Sequence, residues 1–81
     1  MYKIYSKPYC SYCDKAKNLL KSKGIWYDEI EYDQGQLKDV NKAYFTIKEL
    51  LDIVPGAKTL PQIFKDNVYI GGYTELAKSF E

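Results

Sequence analysis

The chain has two cysteines, Cys10 and Cys13, and both lie in the stretch KPYCSYC at residues 7–13. A pair at this spacing can supply half of a metal site, form a structural disulfide, or pass electrons reversibly between its thiol and disulfide forms. Because each of these chemistries needs different surroundings, the rest of the sequence distinguishes among them.

The metal and structural-disulfide alternatives fit this chain poorly. A structural zinc ion usually takes four Cys or His ligands, whereas the chain has two Cys and no His, so carboxylates or a partner would have to complete the site. A disulfide across a four-residue loop stabilises by only about 2 kcal/mol in the chain-entropy model. In a thiol-reducing cytosol, a close cysteine pair is more often catalytic or metal-binding than structural.

The composition is typical of a small packed domain, and the lack of a signal or membrane segment favours a cytoplasmic location. The chain has 81 residues, of which 46% are hydrophobic, and we expect one domain over residues 1–81. The opening stretch MYKIYS has no long apolar run, and no segment approaches the roughly 20 apolar residues of a membrane span. A net charge of +1 gives no reason to expect nucleic acid or a membrane surface as a partner.

The position of the cysteine pair favours redox chemistry. A β-favouring stretch ends at Pro8, and a helical pattern runs over residues 10–23. A thiol in the first turn of a helix lies near free backbone N–H groups and the positive end of the helix dipole, and both favour the thiolate. Lys7 adds positive charge nearby. We therefore predict Cys10 as the nucleophile and Cys13, one turn further along on the apolar face, as the resolving thiol.

The remaining pattern predicts the elements that position this pair. Strands are expected at MYKIYS, IWYDEIEY, QIF and VYI, with a hairpin turn at KDN. A last helix is expected to begin with Thr74 as its cap. One long helix is predicted from apolar residues three or four positions apart, namely Leu37, Val40, Tyr44, Ile47, Leu51 and Val54. The order β-α-β-α-β-β-α predicts an α/β fold whose four-stranded mixed sheet carries helices on both faces.

Three stretches together, KPYCSYC, TLPQIF and IGGYTEL, resemble the glutaredoxins in order and spacing. The resemblance covers essentially the whole chain and implies a thioredoxin-like fold. It implies a glutathione-dependent dithiol–disulfide oxidoreductase that reduces protein disulfides and mixed disulfides with glutathione. It also implies glutathione as reductant, no tightly bound cofactor or metal, and a monomer. Small bacterial and phage members of the family often donate electrons to ribonucleotide reductase, so that enzyme is a candidate client.

The same resemblance implies part of a glutathione site. Lys7 matches a basic position that meets a glutathione carboxylate, and Tyr12 matches an aromatic beside the bound thiol. The stretch TLP resembles the family's TVP, whose proline is cis, so Thr59 and a cis Leu60-Pro61 bond are expected to line the site. The backbone of Leu60 would then pair with the extended peptide of glutathione.

The stretch GGYTE resembles the family's GGYTD and implies the other end of the site. Gly72 permits close approach of the backbone, and Tyr73 lines the groove. Thr74 and Glu75 begin the last helix, whose free N–H groups suit the α-carboxylate of the γ-glutamyl end. Glu75 would meet the ammonium group of that same end, although it is one methylene longer than the usual Asp.

Two alternatives stay open. Ser11 stands where many relatives have Pro, and some members with Ser there hold an iron–sulfur cluster between two subunits, which suggests a cluster-carrier dimer. The other alternative is a thioredoxin-like electron donor that thioredoxin reductase recharges. The GGYTE stretch and the lack of a WCGPC motif favour the glutathione-dependent enzyme over this donor.

Overall fold

The computed structural model describes all residues 1–81 and contains one mixed β-sheet with three helices. The sheet has five strands in the order β3-β2-β1-β4-β5. In chain order the elements are β1 (Tyr2–Ser6), α1 (Ser11–Ser22), β2 (Tyr27–Tyr32), β3 (Ala43–Phe45), α2 (Ile47–Ile53), β4 (Gln62–Lys65), β5 (Val68–Gly71) and α3 (Tyr73–Ser79).

The strand directions confirm the predicted mixed sheet. The β1–β2 pair is parallel, as expected for strands joined through helix α1, and β3 adds a second parallel pair beside β2. The β4–β5 hairpin is antiparallel and attaches to β1 through β4. Its two turn residues, Asp66 and Asn67, have φ values of 50° and 67°, which is the left-handed geometry that closes a two-residue hairpin tightly.

Helices cover both faces of the sheet, and each face has its own buried cluster. We call the α1–α3 side the helix-pair layer; its core is Tyr2, Ile4, Ala16, Leu20, Ile63 and Leu76. We call the α2 side the single-helix layer; its core is Tyr5, Phe45 and Leu50. Because side chains alternate along a strand, Ile4 and Tyr5 of β1 point into different layers.

The predicted long helix over residues 37–54 is wrong. Residues 43–45 form strand β3, and the helix that follows is only seven residues long. Leu37 and Val40, the first two residues of the predicted apolar stripe, are 99% and 96% exposed. Inside α2 the buried residue is Leu50, whereas Leu51 is exposed.

A capping box sets the start of α2 and explains why the helix does not extend further back. The Thr46 hydroxyl accepts a hydrogen bond from the Glu49 backbone N–H at 3.2 Å, and the Glu49 carboxylate accepts one from the Thr46 N–H at 2.8 Å. Tyr44 and Phe45 favour extended structure and pair with β2 instead. The predicted four-stranded sheet is therefore a five-stranded one.

None of the three helices has both the length and the apolar character required to cross a bilayer.

Candidate active site

Cys10 lies at the junction between strand β1 and helix α1. It is the N-cap residue of α1, with φ −114° and ψ 109°, and the Cys13 backbone N–H donates to its Sγ at 3.3 Å. Tyr9, just before it, adopts a left-handed φ of 57°, which turns the chain from the strand into the helix. The geometry thus directs a free helix N–H at the Cys10 sulfur, as the sequence predicted.

Cys13 is fully buried beneath the helix end. Burial, together with a hydrogen bond to Cys10, raises the pKa of Cys13 to about 12. A backbone hydrogen bond from Lys7 and the charge of Lys17 act in the opposite direction, but they are weaker. Both cysteines are free thiols, and Cys13 holds its proton at neutral pH. Cys10 is buried too, but it keeps 8% exposure, so it is the more accessible of the two thiols.

A second segment, which leads into the neighbouring strand β4, meets Cys10. The Leu60-Pro61 peptide bond is cis, which confirms the predicted geometry. The Cys10 thiol donates to the Leu60 carbonyl oxygen at a Sγ–O distance of 3.6 Å. Lys7, Thr59 and Leu60 line one cleft of about 200 Å³. The structure therefore brings together the predicted residues of the first and second motifs.

The GGYTE stretch can lie close to the cis-proline segment because its first two residues are glycines. Gly71 has φ 130°, a conformation that side chains rarely adopt, and a Cβ on it would lie 2.7 Å from Glu75 Cγ. A Cβ on Gly72 would lie 3.5 Å from the Pro61 carbonyl oxygen. These distances show that the GGYTE stretch lies directly against the cis-proline segment.

Helix α3 begins two residues earlier than predicted, so Thr74 is not its cap. The N-cap position belongs to Gly72, and Thr74 is an exposed residue of the first turn. The Glu75 carboxylate replaces the missing side-chain cap, because it accepts a hydrogen bond from the Gly72 backbone N–H at 2.8 Å. A capping interaction between Glu75 and the glycine turn was not predicted from the sequence.

Aromatic side chains connect the first and third motifs. The rings of Tyr12 and Tyr73 lie 6.2 Å apart, and the Lys15 ammonium lies 5.0 Å from the centre of the Tyr12 ring. Tyr12 is 55% exposed, so its ring borders the surface beside Cys10. All three motifs thus converge at one end of the sheet.

Three polar side chains lie beneath this end. Ser6 and Lys17 both donate to the Glu29 carboxylate, at 2.7 and 2.9 Å. Burial alone would raise the pKa of Glu29, but these hydrogen bonds outweigh it, so the pKa is lowered. Glu29 therefore stays ionised, and Lys17 keeps a positive charge on the same helix as Cys13.

Sequence reasoning missed two residues near the site. Lys58 lines the same cleft as Lys7, and its position directly before TLP was a usable signal. Gln62 is buried and donates through Nε2 to the Thr59 carbonyl at 2.8 Å, which no sequence pattern indicated. No group of three or more His, Cys, Asp or Glu side chains is placed to hold a metal ion.

Solved structures with this architecture identify the class of the protein. The structure of buckwheat glutaredoxin bound to glutathione is similar with a TM-score of 0.75 and 30% identity, covering 98% of this chain and 66% of that one. Glutaredoxin 1 from Francisella tularensis, solved with cacodylate, is similar with a TM-score of 0.71 and 29% identity, covering 98% of this chain and 90% of that one. The fold and the cysteine pair define a thioredoxin-like thiol–disulfide oxidoreductase.

Sequence comparison identifies the family. The glutaredoxin family profile matches residues 3–70. Glutaredoxin 1 of Rickettsia bellii is 45% identical over 73 residues, covering 90% of this chain and 69% of the relative, and Glutaredoxin 3 of Escherichia coli is 38% identical, covering 90% and 77%. The chain spans only 61% of Glutaredoxin 1 of Rickettsia felis. The chain belongs to the glutaredoxin family.

Proposed function

We propose that this protein is a glutathione-dependent dithiol oxidoreductase, with residues 1–81 acting as one domain. The observation that carries the proposal is the position of Cys10 Sγ, which contacts the Cys13 N–H on one side and the Leu60 carbonyl on the other. A substrate sulfur arriving there would meet a nucleophile at a helix start and an open backbone segment together. The buckwheat relative was solved with glutathione, which supports glutathione as the ligand.

In the first step, the Cys10 thiolate attacks one sulfur of the substrate disulfide. A bond forms between Cys10 and that sulfur, the substrate S–S bond breaks, and the other sulfur leaves with the electron pair and takes up a proton. The Cys13 N–H donor and the helix dipole stabilise negative charge on Cys10. The Cys10–Leu60 hydrogen bond needs the thiol proton, so it is lost when the thiolate forms.

Two routes can complete the reaction. In the dithiol route, Cys13 loses its proton and attacks Cys10 Sγ, which releases the bound thiol and leaves a Cys10–Cys13 disulfide. Two glutathione molecules then reduce that disulfide and leave as one glutathione disulfide. In the monothiol route, the thiolate of a second glutathione attacks the glutathione sulfur of a Cys10–glutathione mixed disulfide, so glutathione disulfide forms and Cys10 leaves as the thiolate. Burial is the largest cause of the raised pKa of Cys13, and it persists in the mixed disulfide, so we expect the monothiol route to compete on glutathione mixed disulfides.

The three motifs suggest how glutathione would lie. Its glycine carboxylate would lie near Lys7 in the cleft that also includes Lys58. Its cysteine backbone would pair with Leu60 as a short added strand. Its γ-glutamyl end would lie beside Tyr73 and Thr74, with Glu75 near the ammonium group.

The decisive experiment is a glutathione-coupled assay on wild type, Cys10→Ser and Cys13→Ser. One substrate is the mixed disulfide of glutathione with 2-mercaptoethanol, and the other is an intramolecular protein disulfide. We expect Cys10→Ser to lose turnover of both substrates, because no other nucleophile remains at the site. We expect Cys13→Ser to keep turnover of the mixed disulfide and to lose most turnover of the protein disulfide.

Two outcomes would contradict the proposal. Full activity in Cys10→Ser would show that Cys10 is not the nucleophile. A wild-type protein that glutathione cannot recharge, but that thioredoxin reductase reduces rapidly, would be a thioredoxin-like donor instead. Loss of all activity in both variants would show that the dithiol is required for every substrate, and it would remove the monothiol route.

The proposal extends to the location of the protein, its oligomeric state and its client. We propose a cytoplasmic monomer that reduces disulfides of client proteins, with ribonucleotide reductase as one client. The support is the family membership and the small size of the chain. Deoxyribonucleotide formation by an oxidised ribonucleotide reductase, with this protein and glutathione as the electron source, tests the client. Sedimentation of the reduced protein tests the monomer.

A further inference from the structure

The segment between α2 and β4 carries Thr59 and Leu60 but has few bonds of its own. Outside the helices and strands there are 13 backbone–backbone hydrogen bonds, and none of them involves residues 58–61. Thr59 is exposed and Leu60 is half-buried. Something other than backbone pairing must therefore hold the segment in place beside Cys10.

Leu60 is held by its packing on the single-helix layer and by the hydrogen bond from Cys10, and the side chain of Gln62 adds a bond to Thr59. Gln62 is the first residue of β4 and is only 5% exposed. Its Nε2 donates to the Thr59 carbonyl at 2.8 Å, and its Oε1 accepts a hydrogen bond from the Tyr69 hydroxyl. Both ends of one buried amide are thus satisfied by two different parts of the chain.

Tyr69 is held in position by the neighbouring strand. It lies opposite Phe64 in the β4–β5 pair, and the two rings are 5.3 Å apart at 55°. Because Gln62 and Phe64 are two residues apart on one strand, they point to the same face of the sheet. The Tyr69 hydroxyl can therefore reach diagonally across to the Gln62 amide.

The chemistry of the amide fixes the direction of this chain of bonds. A backbone carbonyl only accepts hydrogen bonds, so the amide nitrogen must face Thr59. The amide oxygen then needs a donor, and the Tyr69 hydroxyl supplies one. If that hydroxyl is removed, a buried oxygen loses its partner, and the amide loses the contact that sets its orientation.

We propose that Tyr69 is a positioning residue that acts through Gln62 to hold the Thr59–Leu60 segment in the geometry that receives substrate. This inference rests on the proposed glutathione-dependent activity. The segment would contact substrate both in the bound complex and during reaction. Its loosening is therefore expected to weaken binding more than it slows chemistry.

The first test is Tyr69→Phe, which removes one oxygen and keeps the ring on Phe64. With the glutathione–2-mercaptoethanol mixed disulfide at fixed glutathione, we expect KM to rise about fivefold while kcat stays within about twofold, since one hydrogen bond is lost. Tyr2→Phe is the matched control, because Tyr2 pairs with Lys65 at the other end of β4. We expect the control to match wild type.

The second test combines Tyr69→Phe with Gln62→Met, which keeps the length of the side chain and removes both polar groups. If Tyr69 acts through Gln62, adding Tyr69→Phe to Gln62→Met changes KM by less than about twofold, so the effects do not add. Thermal unfolding of each variant checks that the fold is kept. Should Gln62→Met unfold, Gln62→Asn takes its place, because the shorter amide cannot span both partners.

The outcomes separate this inference from the proposed function. A wild-type protein without turnover means that the function is wrong. An active wild type whose KM is unchanged by Tyr69→Phe, or whose two KM effects multiply in the double variant, overturns the positioning role. A fall in kcat with KM unchanged does so too, because the segment would then act on the chemical step alone.

Discussion

The two layers of the sheet differ in how completely they are packed. The helix-pair layer contains four large side chains with no exposed surface, Ile4, Leu20, Ile63 and Leu76. The single-helix layer has three buried residues and otherwise relies on half-buried neighbours such as Leu60 and Phe64. A close-packed core holds its side chains in fixed positions, whereas a thin one leaves more freedom.

The two layers also carry different parts of the candidate site. Helix α1 in the helix-pair layer carries Cys13 and places Cys10 at its N-cap. Leu60, which belongs to the segment proposed to bind substrate, packs on the single-helix layer. Cys10, the proposed nucleophile, thus stands on the more closely packed layer, and the segment proposed to bind substrate lies on the thinner one, where the Gln62 side chain donates to the Thr59 carbonyl.

The largest expected effect comes from the same substitution made in both layers. Leu20→Ala in the helix-pair layer should reduce the free energy of unfolding by about 3–5 kcal/mol, because its neighbours cannot close the cavity. Leu50→Ala in the single-helix layer should cost about 2–3 kcal/mol, since its half-buried neighbours can move inward. Urea unfolding of the two variants measures both, and equal losses would remove the contrast between the layers.

The next effect is a loss of stability at alkaline pH that comes from Cys13. The thiol ionises near its usual pKa of 9.0 when unfolded, but burial raises the folded pKa to about 12. Between these values the folded state binds more protons, so stability falls as pH rises; below 9.0 the contribution is constant. We expect wild type to lose up to about 2 kcal/mol more than Cys13→Ser between pH 8.5 and 10.5.

Urea unfolding under a phosphine reductant at several pH values measures this difference. Burial also raises the pKa of Tyr5. Burial would lower the pKa of Lys17, but its hydrogen bond to Glu29 outweighs that effect and raises the pKa. Both groups are present in wild type and in Cys13→Ser, so their contributions cancel in the difference. What remains is the effect of Cys13 together with its contact with Cys10. Parallel pH curves would show that Cys13 is not buried as described.

A smaller effect is expected at the start of α3. Glu75→Ala removes the carboxylate that accepts from the Gly72 N–H, so it should reduce stability by about 1 kcal/mol. Glu75→Gln keeps an acceptor and should cost only about 0.3 kcal/mol, because it loses charge near the helix start. Thermal unfolding compares the two. Equal costs would mean that the charge, and not the hydrogen bond, stabilises this end of the helix-pair layer.

The smallest effect is expected in the loop that the sequence wrongly placed in a helix. Leu37 is 99% exposed, so Leu37→Ser should change the free energy of unfolding by less than about 0.5 kcal/mol. If residue 37 belonged to a packed apolar stripe, the same change would cost about 2 kcal/mol or more. Urea unfolding of this variant beside Leu50→Ala separates the two possibilities.

Local signals predicted much of the fold. The strand before Pro8, the helix after Cys10 and the KDN hairpin are all confirmed, because each has both a periodic apolar pattern and a clear break at its end. Residues 37–54 also have a helical period, but Thr46 with Glu49 starts the helix later. The period was misleading because apolar spacing does not show which residues find a partner surface.

By itself, the sequence determined the cysteine pair at a strand-to-helix junction and the glycine turn, because turn and cap chemistry is local. The cis Leu60-Pro61 bond was expected only from the resemblance of TLP to the glutaredoxin motif. The tertiary structure decided what these pieces do to one another. Only folding brings the Leu60 carbonyl to Cys10 and places the Tyr69 hydroxyl on Gln62. It also buries both thiols, Cys13 completely and Cys10 to 8% exposure, because solvent access depends on the packing of distant residues and not on spacing along the chain.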